Sequence, residues 1–293
     1  MFIYVNDVYI ASSNSNALDE FTETLKIHFE LKILGTPRQL LGIQIQWGDD
    51  STAVHLSASK LIKELIDSHH PKVEDIRKIP METTYRPTKA NSPSEEEQNT
   101  PEMKKLKRNF QELVGSFIFI VNTCRSDISY SVSQLCRRMA NPSKEDWTAA
   151  MNVLHYLHGT PTLGVGYRNS GNRIPYLYVD SDDGADESRK SCAGYMTMLA
   201  DGPIYWKSAM IEALSLSSCE SEIRAINMAV EPIKEAIKIK QWLHDVETSL
   251  RQPRTSSPYP FLIDHPLEIL EDNTACIDWG NSQVNSTRLK HLE

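Results

Sequence analysis

Apolar residues recur at helical spacing in several stretches of this chain. Within residues 15–30, Leu18, Phe21, Leu25 and Phe29 lie three or four positions apart, which predicts an amphipathic helix. The same criterion predicts further helices over residues 56–69, over a region at 102–158 that is interrupted at Asn141-Pro142, from Ser218, and from Asn273.

Shorter apolar or alternating segments predict strands. Residues 2–12 alternate and are expected to form two short strands with a polar turn at Asn6-Asp7. Further strands are predicted over residues 40–47, 176–180, 193–199, 203–207 and 267–271. Strands followed by a helix, another strand and another helix make the last 120 or so residues an α/β arrangement.

Residues 83–101 differ in composition from both flanks. This stretch contains Pro87, Pro93, Pro101 and the acidic run at 95–97, and it predicts a solvated linker between two folded parts. A length of 293 residues is consistent with two domains, given about 100–200 residues per domain.

Charge is distributed unevenly along the chain. The formal net charge is −8, and residues 170–293 hold 19 acidic against 12 basic side chains. A basic composition, typical of general nucleic-acid binding, is absent, whereas a domain that gathers carboxylates around divalent cations would be acidic. Composition leaves both interpretations open.

Cysteine usage and hydropathy bear on the compartment. Five cysteines without a CxxC pair argue against a disulfide framework and a zinc ribbon. There is no apolar run of about 20 residues and no basic segment at the amino terminus, so neither a transmembrane helix nor a signal peptide is predicted. We expect an intracellular protein, cytoplasmic or nuclear, without a membrane partner.

Four acidic residues stand at positions where chemistry is often placed. Asp180 and Asp272 each end a predicted strand, Glu222 lies in the first turn of the helix from Ser218, and Glu293 is the last residue. Side chains at such element ends can converge on one point, and carboxylate oxygens are the ligands that Mg²⁺ prefers. Spacing alone favours the other interpretation, in which these residues are solvated acids at element ends.

The carboxy-terminal motifs resemble those of a known family. In chain order they are Leu-Tyr-Val-Asp-Ser-Asp to Ser-Cys-Ala-Gly-Tyr at 177–195, Pro-Ile-Tyr-Trp-Lys-Ser at 203–208, Leu-Ser-Ser-Cys-Glu-Ser-Glu-Ile at 216–223, Glu-Asp-Asn at 271–273 and Arg-Leu-Lys-His-Leu-Glu at 288–293. This series resembles the ribonuclease H domain of Ty1/copia-type retrotransposon Pol polyproteins.

The upstream half resembles the preceding parts of the same polyproteins. Phe-Ile-Tyr-Val-Asn-Asp-Val-Tyr-Ile at 2–10 is similar to the YxDD hairpin of reverse transcriptase, and residues 34–45 are similar to the end of that domain. Segments that resemble the connection lie at 113–116, 125–130, 141–147 and 154–160. The resemblance therefore covers nearly the whole chain.

The resemblance implies an α/β protein in four parts. These are a truncated reverse-transcriptase palm and thumb remnant at 1–82, the linker at 83–101, a helical connection at 102–170, and an RNase H-like mixed sheet with flanking helices at 171–293.

The resemblance also assigns roles to the acidic residues. Asp180, Glu222 and Asp272 match the family's metal-binding carboxylates, and Glu293 stands where the family usually has Asp. Two Mg²⁺ ions, with Mn²⁺ as an alternative, would be held there to cleave the RNA strand of an RNA–DNA hybrid.

Several positions depart from the family pattern. Asn6 replaces the first of two aspartates in the polymerase motif and leaves only Asp7, so we expect no polymerase activity. The chain ends at Glu293, where the family continues into a final helix. The segment after Lys207 lacks the family's Lys/Gln-rich stretch, which weakens the expected contacts with phosphates.

Other interpretations stay open. His155 and His158 have helical i, i+3 spacing that a metal could use, and Cys219 lies near a helix start where a thiol can be activated. Arg137-Arg138 and the basic run at 104–108 are either solvated helix faces or nucleic-acid contacts. The alternatives to an RNase H-type enzyme are a catalytically inactive retroelement relic and a nucleic-acid-binding module.

Overall fold

The structure is a computed structural model that describes residues 2–12, 14–49, 52–86, 92–170, 174–182, 190–215, 217–250 and 267–282. Helices and strands are mixed throughout these residues, which confirms the predicted α/β class. The helices are α1 (Ser15–His28), α2 (Ser59–His69), α3 (Glu95–Gln98), α4 (Pro101–Thr123), α5 (Ser129–Cys136), α6 (Lys144–Gly159), α7 (Ser218–Met228), α8 (Val230–Leu250) and α9 (Thr274–Asn281).

Three separate sheets contain the described strands. The strands are β1 (Phe2–Tyr4), β2 (Asp7–Tyr9), β3 (Gln39–Leu40), β4 (Ile43–Trp47), β5 (Ala53–Ser57), β6 (Val165–Arg168), β7 (Tyr176–Asp182), β8 (Cys192–Leu199), β9 (Gly202–Met210) and β10 (Glu268–Leu270). Strands β1 and β2 pair alone, β3-β4-β5-β6 form an antiparallel sheet, and β10-β7-β8-β9 form a mixed sheet.

The first hairpin forms as predicted, with a shifted turn. Phe2 pairs with Tyr9 and Tyr4 pairs with Asp7, so the two connecting residues are Val5 and Asn6. Asp7 therefore begins the second strand instead of standing in the turn.

The predicted single strand at 40–47 is wrong. Leu41 and Gly42 both have positive φ, at 50° and 86°, and form a two-residue turn that folds β3 back onto β4. Positive φ at both central residues gives the hairpin turn whose twist matches that of the flanking strands. The helix predicted over residues 56–69 begins later than expected. Residues 53–57 form β5, and the helix begins at Ser59.

Helices α2, α4, α5 and α6 enclose the larger hydrophobic core. Its fully buried members include Ile62, Phe110, Phe117, Leu154 and Leu157. The core also takes in β6, which pairs with β5 from Ala53 opposite Arg168 to Leu56 opposite Val165. Backbone hydrogen bonds and side-chain packing thus connect the predicted palm and thumb remnant at 1–82 with the predicted connection at 102–170.

A buried polar network ties the predicted linker to this core. Tyr85 is 8% exposed and its hydroxyl donates to Asp146 Oδ1 at 2.6 Å, while Arg138 Nε donates to Asp146 Oδ2 at 3.0 Å. Arg138 also donates to Ser92 Oγ at 2.9 Å. The described ends of the 83–101 stretch are therefore packed. Arg138 is neither a solvated side chain nor a nucleic-acid contact.

Helix α7 and the beginning of α8 pack on one face of the mixed sheet. Leu177 and Val179 on β7 and Ala193 on β8 are buried against Ala225 of α7 and against Ala229. Helix α7 ends at Met228 and α8 begins at Val230, which places Pro232 in the first turn of a new helix, where its missing N–H is tolerated. The chain therefore forms two helices here, separated at Ala229.

Hydrogen bonds connect the mixed sheet to the rest of the protein. Trp206 Nε1 on β9 donates to Val121 O at 2.7 Å, and the Tyr167 hydroxyl on β6 donates to Pro203 O at 2.8 Å. Arg168 N on β6 donates to Ala200 O, in the turn between β8 and β9, at 2.9 Å. In the part of the chain that the structure describes, no helix has the length and apolarity needed to cross a membrane.

We predict that Asp146→Ala lowers the free energy of unfolding by about 3–5 kcal/mol, because it leaves the Arg138 charge buried without its partner. Urea denaturation of the full chain followed by circular dichroism measures this effect. Lys144→Ala is the matched control, because its ion pair with Glu102 is about three-quarters exposed and solvent screening leaves such a surface pair little effect on stability. Equal effects of the two substitutions would contradict a structural role for the buried network.

Candidate functional site

Three carboxylates meet at one edge of the mixed sheet. Asp180, Glu222 and Asp272 each offer an oxygen, and these oxygens all lie within 4.8 Å of one another. Among the residues that the structure describes, this is the only group of three or more His, Cys, Asp or Glu residues close enough to hold a metal ion. The structure thus brings together three of the four acidic residues singled out in the sequence.

The parallel pairing of β7 with β10 positions two of these residues. Glu268 is opposite Tyr176 and Leu270 is opposite Tyr178, so the same register continued by two residues sets Asp272 beside Asp180. Parallel strands end at the same edge of a sheet, and both carboxylates leave the sheet there. Asn273 then caps α9 by accepting a hydrogen bond from Cys276 N at 3.0 Å, which fixes the chain directly after Asp272.

Helix α7 supplies the third carboxylate. Ser217 caps the helix by accepting a hydrogen bond from Glu220 N at 3.2 Å. Glu222 lies just beyond the first turn, one position after Ser221. The Ser181 hydroxyl on β7 donates to Ser221 Oγ at 2.9 Å, and this bond holds the start of the helix against the strand that carries Asp180.

Glu222 is a buried acid with an unpaired oxygen. The residue is 5% exposed, and its Oε2 is buried without a hydrogen-bond partner. Burial raises the pKa of Glu222 to about 7, and the negative charges of Glu271, Asp180 and Asp272 contribute to the shift. A buried carboxylate oxygen that no protein group satisfies is costly, which indicates that the site is built for a cation or a proton.

Glu271 is a fourth acid at the site that the sequence analysis did not single out. Its Oε1 accepts a hydrogen bond from Asn273 N at 3.1 Å, and its Oε2 is buried without a partner. Burial and the charges of Asp272 and Asp180 raise its pKa. The only signal in the sequence was its place directly before Asp272, and nothing in the strand pattern indicated that it would turn towards Glu222.

Oxygen donors of this kind fit a hard divalent cation. Asp180 and Asp272 are exposed to solvent, whereas Glu222 forms the buried wall. This arrangement combines access for a hydrated ion with a fixed inner ligand, and Mg²⁺ keeps several waters when it is bound by few carboxylates.

The other acidic candidates do not join this group in the described structure. Glu293 lies outside the described residues, as do Asp183 and Asp186. Asn6 and Asp7 are exposed in the separate two-stranded sheet of β1 and β2.

The histidine and cysteine candidates have other environments. The Nδ1 atoms of His155 and His158 are buried without partners, and burial lowers the pKa of His155, but the described residues provide no third ligand near them. Burial and the neighbouring Glu222 and Glu271 raise the pKa of Cys219, the reverse of what activates a thiol.

Comparison with known proteins relates the whole chain to retrotransposon polyproteins. The chain is 27% identical over its full length to 21% of the retrovirus-related Pol polyprotein from transposon TNT 1-94 of Nicotiana tabacum. It is 25% identical over its full length to 18% of the corresponding polyprotein from transposon RE2 of Arabidopsis thaliana. The chain thus spans about a fifth of the length of these relatives.

A shorter relative is matched over most of its own length. An uncharacterised mitochondrial protein of Arabidopsis thaliana is 30% identical over 227 residues, which cover 77% of this chain and 89% of that protein. Neither a family model nor a solved structure matches the chain.

We predict that in metal-free buffer the free energy of unfolding falls as the pH rises from 4.5 to 7. Folded Glu222 keeps its proton up to about pH 7, whereas an unfolded glutamate releases it near its ordinary value of 4.5. Between these values the folded state binds more protons than the unfolded state, so each rise in pH favours unfolding.

Urea denaturation in EDTA at several pH values measures this slope. Glu222→Gln removes the titrating group and is expected to flatten the slope, whereas the exposed strand substitution Glu268→Gln leaves it unchanged. The same slope in wild type and Glu222→Gln would contradict the elevated pKa.

Proposed function

We propose that residues 171–293 act as an RNase H-like nuclease domain of Ty1/copia type, because the chain is similar over its full length to retrotransposon Pol polyproteins. Its substrate would be the RNA strand of an RNA–DNA hybrid, and its cofactor Mg²⁺, with Mn²⁺ as an alternative. Residues 1–82 would then correspond to the palm and thumb of a reverse transcriptase, and residues 102–170 to the connection.

The convergence of three carboxylates from three separate elements is the observation that carries this proposal. Asp180, Glu222 and Asp272 are more than 40 residues apart in sequence, yet their oxygens lie within 4.8 Å of one another. Solvated acids at unrelated element ends repel one another and gain nothing from such proximity. A site for divalent cations accounts both for the clustering and for the unpaired Glu222 oxygen.

The chain's own residues can be given roles on this basis. Asp180 and Asp272 would bind the metal ion from the solvent side. The hydrogen bond between Ser181 and Ser221 would fix the start of α7 and thereby hold the carboxylate of Glu222 in place. When bound, Mg²⁺ ions at such a site activate an attacking water and stabilise a leaving 3′ oxygen. The protein contributes the fixed geometry and the negative charge that attracts the ions.

Polymerase chemistry is not part of this proposal. Asn6 offers a neutral amide oxygen, a weaker ligand for Mg²⁺ than a carboxylate. Asp7 belongs to no group of three or more potential metal ligands within the described residues.

We predict Mg²⁺-dependent cleavage of the RNA strand when the full chain is incubated with an end-labelled RNA–DNA hybrid. Asp180→Asn and Glu222→Gln are each expected to lower the rate by about 100-fold or more, the scale of losing a group that stabilises charge in a transition state. Glu268→Gln is the matched control, because Glu268 is an exposed carboxylate on the strand that precedes Asp272 and lies outside the cluster.

The control substitution is expected to retain the wild-type rate. Equal cleavage by wild type and Asp180→Asn would identify a contaminating nuclease and contradict the proposal. No cleavage by a chain whose circular dichroism shows it to be folded would leave the inactive retroelement relic as the better description.

A further inference from the structure

A groove lies beside the carboxylate cluster, between the mixed sheet and the helical part of the protein. It has a volume of about 410 Å³, and Asp180 forms part of its wall. The opposite wall is formed by the 3-10 turn Ser126–Ile128 and the first turn of α5, which contribute Ser126, Ser129 and Tyr130. The groove thus opens directly onto the candidate metal site.

The sheet wall of the groove is the face that α7 leaves uncovered. Asp180 is opposite Gly194, which is opposite Ser208, and Tyr178 is opposite Met196. Cross-strand partners share a face of a sheet, so these side chains lie on the side away from Leu177 and Val179, which α7 buries.

Aromatic side chains line the groove on both sides. Tyr178 is 48% exposed and Tyr130 across the groove is 37% exposed, so each has ring surface available to a ligand. Trp206 also lines the groove, and its hydrogen bond to Val121 O holds the indole in place. Exposed aromatic faces are the usual platforms for unpaired nucleic-acid bases.

Polar and charged groups around these rings suit a nucleotide. Hydroxyls of Ser126, Ser129 and Ser208 line the groove together with Lys207. The carboxylate of Asp127 also lines it, but Arg125 compensates that charge through two hydrogen bonds of 2.9 and 2.8 Å.

Two further cations stand near Tyr130. Burial raises the pKa of Tyr130; the positive charges of Arg86 and Arg137 oppose that shift, and the negative charge of Asp182, which also lines the groove, adds to it. Charges of both signs therefore surround Tyr130, with Arg86 and Arg137 as its cationic neighbours.

The size of the groove limits its occupant. A volume of about 410 Å³ is near the lower end of the roughly 300–1,000 Å³ typical of small-molecule sites. One or two nucleotides fit within such a volume, whereas a duplex does not.

We propose that this groove binds one or two unpaired nucleotides of a nucleic-acid strand whose neighbouring, paired nucleotides reach the carboxylate cluster. The inference rests on the proposed function and adds to it a preference for substrates that carry unpaired nucleotides. Hybrids with a short single-stranded extension bind more tightly than blunt hybrids, because one base of the extension stacks on Tyr178 or Tyr130.

Gly194 offers a way to close the groove without disturbing the fold. A Cβ built on Gly194 meets nothing within 4 Å, so a larger side chain enters open space beside its cross-strand partner Asp180 and diagonally across from Tyr178. Gly194→Leu is therefore expected to fill the groove, whereas Tyr178→Ala removes the stacking surface. One substitution fills the groove and the other enlarges it, but both are expected to abolish the preference for extended hybrids.

Fluorescence anisotropy with the full chain tests the proposal. The probes are a blunt RNA–DNA hybrid and the same hybrid with a two-nucleotide extension on each strand in turn, with Ca²⁺ in place of Mg²⁺ to suppress cleavage. Wild type is expected to prefer one extended hybrid by roughly tenfold, at the lower end of the effect of a stacked base. Tyr178→Ala and Gly194→Leu are expected to bind blunt and extended hybrids equally.

Tyr205→Ala is the matched control. Tyr205 is a 40% exposed tyrosine of the same sheet that stacks on Tyr195 and does not line the groove. This variant is expected to keep the preference. Equal binding of blunt and extended hybrids by wild type, or a preference that survives both groove substitutions, would overturn the inference without bearing on cleavage of the blunt hybrid.

Two further probes, a mononucleotide and a single-stranded tetranucleotide, distinguish a free nucleotide from a strand as the ligand of the groove. They also distinguish failure of this inference from failure of the proposed function. If millimolar mononucleotide abolishes the preference as effectively as a single-stranded tetranucleotide, the groove is a free-nucleotide site and the strand proposal is overturned. Binding of the tetranucleotide that depends on Tyr178 supports the inference even if no hybrid is cleaved. Failure of the tetranucleotide to bind would overturn it even if hybrids are cleaved.

Discussion

The parallel pairing of β7 with β10 is the constraint on which the candidate site depends. It places Asp180 and Asp272 side by side at the end of two strands that are about 90 residues apart in the chain. Helix α7 lies across the same strand and adds Glu222 from a third direction. A one-residue slip in this register would turn Asp272 to the opposite face of the sheet and disperse the cluster.

The fold accepts an electrostatic cost to keep these acids together. Glu222 and Glu271 each have a buried oxygen without a hydrogen-bond partner, and the charge of Glu271 adds to the rise in the pKa of Glu222 that burial causes. Packing of Leu177, Val179 and Ala225 beneath them supplies the rigid support that resists this repulsion. Repulsion of this kind between acidic groups is typical of functional sites where a bound ligand neutralises the charge.

Local patterns predicted most elements, and non-local contacts explain what they missed. The apolar strand at β7 and the start of α7 at Ser218 depend on neighbours in sequence, and both were predicted. The turn at Leu41 and Gly42 was missed, because positive φ at a leucine is imposed by strand pairing. Burial of Arg138 was also missed, since tertiary packing brings its hydrogen-bond partners Asp146 and Ser92 to it. For the same reason, motif spacing indicated three site residues, whereas Glu271 and the adjoining groove became visible only in three dimensions.

Direct measurement of cation binding tests the central claim that Asp180, Glu222 and Asp272 form one metal site. Electron paramagnetic resonance of Mn²⁺ titrated into the full chain reports the bound ion without any nucleic acid. The account predicts saturable Mn²⁺ binding that Mg²⁺ displaces and that Asp272→Asn weakens at least about tenfold, the usual scale for altering a metal-site residue. Absence of saturable binding, or identical binding by Asp272→Asn, would contradict it.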